Sequence, residues 1–211
     1  MTENIEVFKQ NSIRINSRKG KIYIDPFQMD ETPKDAAFIM ITHDHHDHFS
    51  PEDIAKVANE NTILIVPEKM EKKAGEAAKY VAKTVTVMPG VYRAVAGLEF
   101  ETVPAYNLHK SYHPKKAEWV GYIIRLEDKR IYIAGDTDAT KEAFDVRCSI
   151  ALVPIGGTYT MDAKKAAELV NTIRPEVAIP VHYGSIVGKP EDAEVFKSLV
   201  RDNVKVEIKI K

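Results

Sequence analysis

A continuous apolar run, Ala36-Ala37-Phe38-Ile39-Met40-Ile41, leads directly into Thr42-His43-Asp44-His45-His46-Asp47-His48, and Ser50-Pro51-Glu52-Asp53 follows. This junction constrains the fold more than any other part of the chain. Six apolar residues in succession suit a strand buried on both faces, an interior strand of an α/β sheet. The last piece is a helix start, with an N-cap serine, proline at the first helical position and acids in the first turn. Ile54, Val57 and Ala58 then fall at helical spacing. The histidines therefore occupy a loop at the C-terminal end of a strand, where α/β proteins place their chemistry. The chain has 7 histidines, and four of them lie between His43 and His48. Imidazole and carboxylate together suit Zn²⁺, Mn²⁺ or Fe²⁺. With Cys148 the only cysteine, no thiolate set competes. A His-rich solvated loop is the plain alternative, weakened by the strand and helix on either side.

Strand and helix signals alternate along the rest of the chain. Strands are expected over 5–8, 12–15 and 21–24, with turn residues Asn16 to Gly20 between the last two. A strand over 62–66, a helix over 68–81 and a strand over 84–88 follow. Strands over 92–95 and 98–103 flank Ala96-Gly97, and a hairpin joins 119–126 to 130–134 through Glu127-Asp128-Lys129. The last third reads strand 150–154, helix 162–173, strand 177–181, helix 190–200 and strand 204–210. This order suggests two sheets with helices outside them.

Composition removes several function classes. The 211 residues are 44% hydrophobic and 29% charged, which are globular values. Lys+Arg of 30 against Asp+Glu of 31 gives a net charge of −1 and no electrostatic footprint for nucleic acid. The lone cysteine excludes an internal disulfide and suits a reducing compartment. No apolar run approaches a membrane span, and the acidic opening Met1 to Glu6 lacks a signal peptide's apolar core. A cytoplasmic protein with one domain over residues 1–211 is expected.

His43-x-His45-x-Asp47-His48 resembles the His-x-His-x-Asp-His signature of the metallo-β-lactamase superfamily. Two further pieces follow in the expected order. A strand ends in Gly135-Asp136, and another, Val177 to Val181, delivers His182. The resemblance implies a four-layer αββα sandwich and two divalent metal ions, zinc foremost, with Mn or Fe as alternatives. It implies that His43 and His45 bind one metal, that Asp47 and His48 bind the second, that Asp136 bridges them and that His182 completes the set. His46 falls at an x position. The runs Val103 to Asn107, Ala134 to Asp138, Pro154 to Asp162 and Pro180 to Gly184 look like the small metal-dependent hydrolase branch that includes ascorbate-6-phosphate lactonase-like proteins.

The pattern breaks once. The family places a further histidine between the first motif and the bridging aspartate, yet the matching strand ends Val103-Pro104-Ala105-Tyr106-Asn107. His113 is the favoured replacement, since Pro114 biases it to an extended conformation; His109, or neither, stays open. Asn107 would then orient a water or substrate. The implied activity is hydrolysis of an ester, lactone or phosphodiester of small size by metal-activated hydroxide, with Asp47 orienting the nucleophile or carrying a proton. A metal-binding protein without turnover and a di-iron redox protein are the other classes. His45 stands where di-iron members carry Glu, which favours hydrolysis. The cations of His109 to Lys116 read either as a phosphate- or carboxylate-recognising segment, hence an anionic substrate, or as a solvated loop. Gly156-Gly157 reads as a close backbone approach or a turn, and Asp162 as a helix cap or a support to the site. Cys148 reads as a packed small residue, and Trp119 and Tyr122 as strand core.

Overall fold

A computed structural model describes residues 2–210; Met1 and Lys211, the ends of the expected single domain, lie outside the described residues. The described chain separates into two compact units, residues 2–88 with Ile210, and residues 89–209.

The first unit is a six-stranded sheet whose strands follow chain order: β1 (Ile5–Val7), β2 (Ile13–Ser17), β3 (Gly20–Ile24), β4 (Ala36–Met40), β5 (Ile63–Pro67) and β6 (Lys83–Val87). β1 to β3 run antiparallel and β3 to β6 parallel. The expected interior strand is β4, flanked by β3 and β5. One face of these strands, with Tyr23, Ile39, Ile41, Leu64 and Val66, packs on Ile54, Val57 and Ala58 at helix α1 (Pro51–Val57). Ile22, Ile24, Phe38, Met40 and Ile65 alternate with them and are buried as well, which is why the run is apolar throughout.

The helix expected over 68–81 is broken. A 3₁₀ turn at Glu68–Met70, the single turn α2 (Glu71–Ala74) and a 3₁₀ stretch at Gly75–Tyr80 replace it. Met70, Ala74 and Ala77 are its buried residues. Their i, i+4, i+7 spacing predicts one helix, but two alanines offer little apolar area and Gly75 disfavours continuation by ~1 kcal/mol.

The second unit is a seven-stranded sheet of order β13-β12-β11-β10-β9-β8-β7. Its strands are β7 (Tyr92–Val95), β8 (Leu98–Pro104), β9 (Val120–Leu126), β10 (Lys129–Ile133), β11 (Ile150–Pro154), β12 (Val177–Val181) and β13 (Lys205–Val206). β7 to β10 are antiparallel hairpins and β10 to β13 run parallel. Helices α3 (Lys141–Phe144), α4 (Ala163–Ile173) and α5 (Asp192–Leu199) fill the parallel connections. The expected strand 204–210 pairs over only two residues, although its alternation runs on. Ala178 O accepts from Glu207 N, so Pro180, two residues further along β12, faces the same edge without an N–H to offer.

Candidate metal centre

In the first unit, one buried carboxylate organises the histidine loop. β3 pairs in parallel with β4, Ile24 beside Met40, so Asp25 emerges next to Thr42. Asp25 Oδ1 accepts from Thr42 N (2.8 Å), and its Oδ2 accepts from Thr42 Oγ1 (2.6 Å) and Asn11 Nδ2 (2.8 Å). His48 Nδ1 lies 2.6 Å from the same oxygen. A carboxylate only accepts, so His48 carries its proton on Nδ1, which makes Nε2 the ring nitrogen able to take a metal. The Thr42 hydroxyl, its hydrogen given to Asp25, presents lone pairs to His43 Nδ1 at 3.0 Å. That fixes the same tautomer in His43.

The ligand-type atoms then fall at coordination spacing. His43 Nε2 is 3.1 Å from His45 Nδ1, and His48 Nε2 is 3.5 Å from Asp47 Oδ2. Two metal bonds of ~2.0–2.1 Å at a tetrahedral angle separate their donors by about 3.3 Å. His43, Asp47 and His48 are buried and His45 is half-buried, while the His46 side chain is 80% exposed, as an x position would be. Beyond them Ser50 caps α1 by accepting from Asp53 N. Burial raises the Asp53 carboxyl, but hydrogen bonds from Lys56, Met29 N, Ser50 and Gln28 N outweigh it and hold the group below its ordinary range.

The second unit brings together three more of the expected residues. Asp136 follows β10 after Gly135, whose φ of 65° is a left-handed turn suited to glycine. Asp136 Oδ2 lies 3.3 Å from His113 Nε2 and 3.2 Å from His182 Nε2, and all three residues are buried. These too are donor spacings of a metal shell. His113 is 0% exposed whereas His109 is exposed. Asn107, expected to orient water or substrate, instead serves His113. Its Oδ1 accepts from His113 N (3.2 Å) and sits 3.0 Å from Nδ1, and its Nδ2 donates to Tyr159 O (2.9 Å). The Trp119 ring stands edge-on to His113 at 5.5 Å; Trp119 precedes β9 and is half-buried, so it is a wall beside His113 rather than strand core. Tyr122 is buried inside β9 as expected.

Gly156 belongs to the backbone approach. A Cβ there would lie 2.4 Å from the His182 carbonyl oxygen, so no other residue fits without moving His182. Asp162 is a helix cap, accepting from Lys165 N at the start of α4. Burial pushes the Cys148 thiol up to about 12, which leaves it an inert packed residue.

Two cations of the 109–116 segment are struts. Lys110 donates to Asp138 Oδ1 (2.5 Å) and Thr160 O (2.6 Å). Lys115 donates to Glu142 Oε1 (2.8 Å), while Tyr106 Oη donates to Glu142 Oε2 (2.8 Å). The Lys115 hydrogen bond holds the Glu142 carboxyl at about 2, against an ordinary 4.5. A depressed folded-state pKa stabilises above the unfolded value, and that stabilisation is lost as pH falls from 4.5 towards 2. Glu142→Gln is therefore expected to lower the urea midpoint at about pH 6 and to match wild type near about pH 2. A stability gap that does not change with pH would show that Glu142 acts by packing alone.

Comparisons with known proteins give the family. The family model described as a beta-lactamase superfamily domain matches residues 4–182. A UPF0173 metal-dependent hydrolase of Pyrococcus abyssi is 32% identical over 206 residues, covering 88% of this chain and 87% of that protein. A UPF0173 metal-dependent hydrolase of Pyrococcus horikoshii is 31% identical over 207 residues, covering 89% and 88%. Among solved structures, a candidate metal-dependent hydrolase of Parabacteroides distasonis superposes with a TM-score of 0.82 at 29% identity, covering 97% of this chain and 91% of its own. The metallo hydrolase Igni18 of Ignicoccus hospitalis shares the fold, with a TM-score of 0.75 at 23% identity and 97% and 93% coverage. The chain belongs to the metallo-β-lactamase superfamily, has its α/β fold, and counts the UPF0173 metal-dependent hydrolases among its relatives.

Proposed function

We propose that this protein is a metal-dependent hydrolase of a small ester, lactone or phosphodiester, with residues 1–211 acting as one catalytic domain. His43, His45, Asp47 and His48 of the first unit and His113, Asp136 and His182 of the second are the residues that would hold divalent metal. The observation that carries the reading is the donor spacing. His43 with His45, and Asp136 with His113 and His182, present donor atoms 3.1–3.3 Å apart. The donors are imidazole and carboxylate throughout, a set that suits zinc first and Mn²⁺ or Fe²⁺ next. When bound, two such ions supply Lewis acidity and bring the pKa of water near neutrality.

The chain's own residues supply the rest. Thr42, Asp25 and Asn107 fix the faces that His43, His48 and His113 turn to the site. Asp47 takes the proton freed from water and returns it to the leaving oxygen, so an ester yields acid and alcohol. The balanced net charge of −1 supports a small-molecule substrate over nucleic acid. An anionic substrate has weaker support, because carboxylates already hold Lys110 and Lys115. A single cysteine accords with a cytoplasmic setting, and no helix among the described residues is long and apolar enough to cross a membrane.

Elemental analysis of tag-free protein tests this. About two metals per chain are expected in the wild type and about one in His113→Ala. No metal retained after reconstitution would overturn the hydrolase reading. About two metals in both proteins would remove His113 from the ligand set.

A further inference from the structure

The tip of the β1–β2 hairpin is built against the usual pattern. Phe8 N donates to Ser12 O and Ser12 N to Lys9 O, a tight turn of the kind that normally faces water. Yet Gln10 and Asn11 at its tip are both 0% exposed. Their amides diverge. Asn11 supports Asp25, as described above, whereas Gln10 Nε2 donates to Asp47 Oδ2 across 3.4 Å. Gln10 also holds φ at 53°, the left-handed region where glycine rests easily and glutamine does not. Folding alone is better served there by glycine. A buried long side chain held in a strained conformation points to a functional position.

We propose that Gln10 is a positioning residue that sets the orientation of the Asp47 carboxylate, an inference that rests on the metal-site reading above. Oδ2 is the Asp47 oxygen beside His48 Nε2, at 3.5 Å, and so the one that would ligate an ion shared with His48; Oδ1 turns towards exposed His46, whose Nδ1 is 3.8 Å away. The terminal torsion of an aspartate is broad and roughly two-fold. Nothing in the Asp47 side chain itself selects which oxygen faces inward. The Gln10 amide does so through its hydrogen bond to Oδ2, and its Nε2 must be the atom presented because a carboxylate has no proton to donate.

Gln10→Gly separates this role from a structural one, since glycine relaxes the backbone while deleting the amide. The metal-free proteins would be titrated with Zn²⁺ against a chromogenic chelator, with thermal unfolding followed in parallel. The second equivalent is expected to bind Gln10→Gly roughly tenfold more weakly, the first equally well, with Tm unchanged or higher. Gln10→Ala, which keeps the strained φ, is expected to show the same weakening with a lower Tm. An unchanged second equivalent in Gln10→Gly, with wild type taking up two ions, would overturn the role of Gln10 and leave the hydrolase reading standing. Weakening confined to Gln10→Ala would assign the effect to stability and likewise overturn it. A wild type that takes up no second ion would overturn the two-metal site and the role of Gln10 with it.

Discussion

Asp47→Asn is expected to lower turnover by roughly 10²–10⁴-fold, the range for losing a positioned proton carrier, while Tm moves by no more than about 2 °C. The two halves of that result have separate causes. Asparagine matches aspartate in shape, and Asp47 is only 7% exposed in a loop fixed by hydrogen bonds from His48 N and Phe49 N to His45 O. The loop conformation therefore survives the change. The amide, however, cannot take a proton from water and hand it to a leaving group. KM is expected to change less than kcat, since the step lost belongs to the transition state. The measurement is steady-state kinetics on whichever chromogenic ester or phosphodiester the wild type turns over, at metal saturation checked by elemental analysis. Full activity at full occupancy would show that Asp47 is a ligand only and that the proton travels elsewhere.

Legibility in the sequence followed the range of the interactions involved. The junction from Ala36 to Asp53 is local: strand, loop, cap and helix are each specified by neighbouring residues, and β4 and α1 form where expected. Asp136 and His182 were visible as strand-end residues for the same reason, and both emerge from the parallel part of the second sheet. Asp25 was not visible. In Ile24-Asp25-Pro26 it looks like a turn residue closing a strand, and it becomes the anchor of Thr42 and His48 only because β3 lies beside β4. Gln10 and Asn11 look like ordinary hairpin-tip residues until the tip is seen to be buried. Spacing does not separate His113 from His109; the structure buries the first and exposes the second, a difference that depends on how the 107–119 loop folds back so that Asn107 N meets His113 O. The broken segment at 68–80 failed differently. Its apolar period was right, and its apolar mass was too small to sustain one helix.

Asp25→Ala is expected to cost about 3–5 kcal/mol of folding stability and to weaken metal binding roughly 10–100-fold, although Asp25 itself is no ligand. The carboxylate accepts from a backbone N–H, a hydroxyl, a side-chain amide and an imidazole, all in a place where neither Asp25 nor Thr42 nor Asn11 meets water. Alanine leaves those donors stranded together, and each buried unsatisfied group costs about 1–3 kcal/mol before the structure relaxes. For a chain of this size the expected loss is a Tm lower by roughly 6–20 °C. Asp25→Asn separates stability from site chemistry. Its amide oxygen can still accept from Thr42 N, but its NH₂ would face Thr42 Oγ1, Asn11 Nδ2 and His48 Nδ1, all of which are donors in the native network. Relieving the part of that conflict at His48 requires its proton to move to Nε2, the atom a metal needs. Asn is therefore expected to recover part of the stability lost in Ala and little of the metal affinity. Calorimetry and zinc titration of both variants read the two effects independently. If Asp25→Asn bound metal as tightly as wild type, the tautomer of His48 would not be set by Asp25, and the histidine loop would owe its ligand geometry to Thr42 and the backbone turn alone.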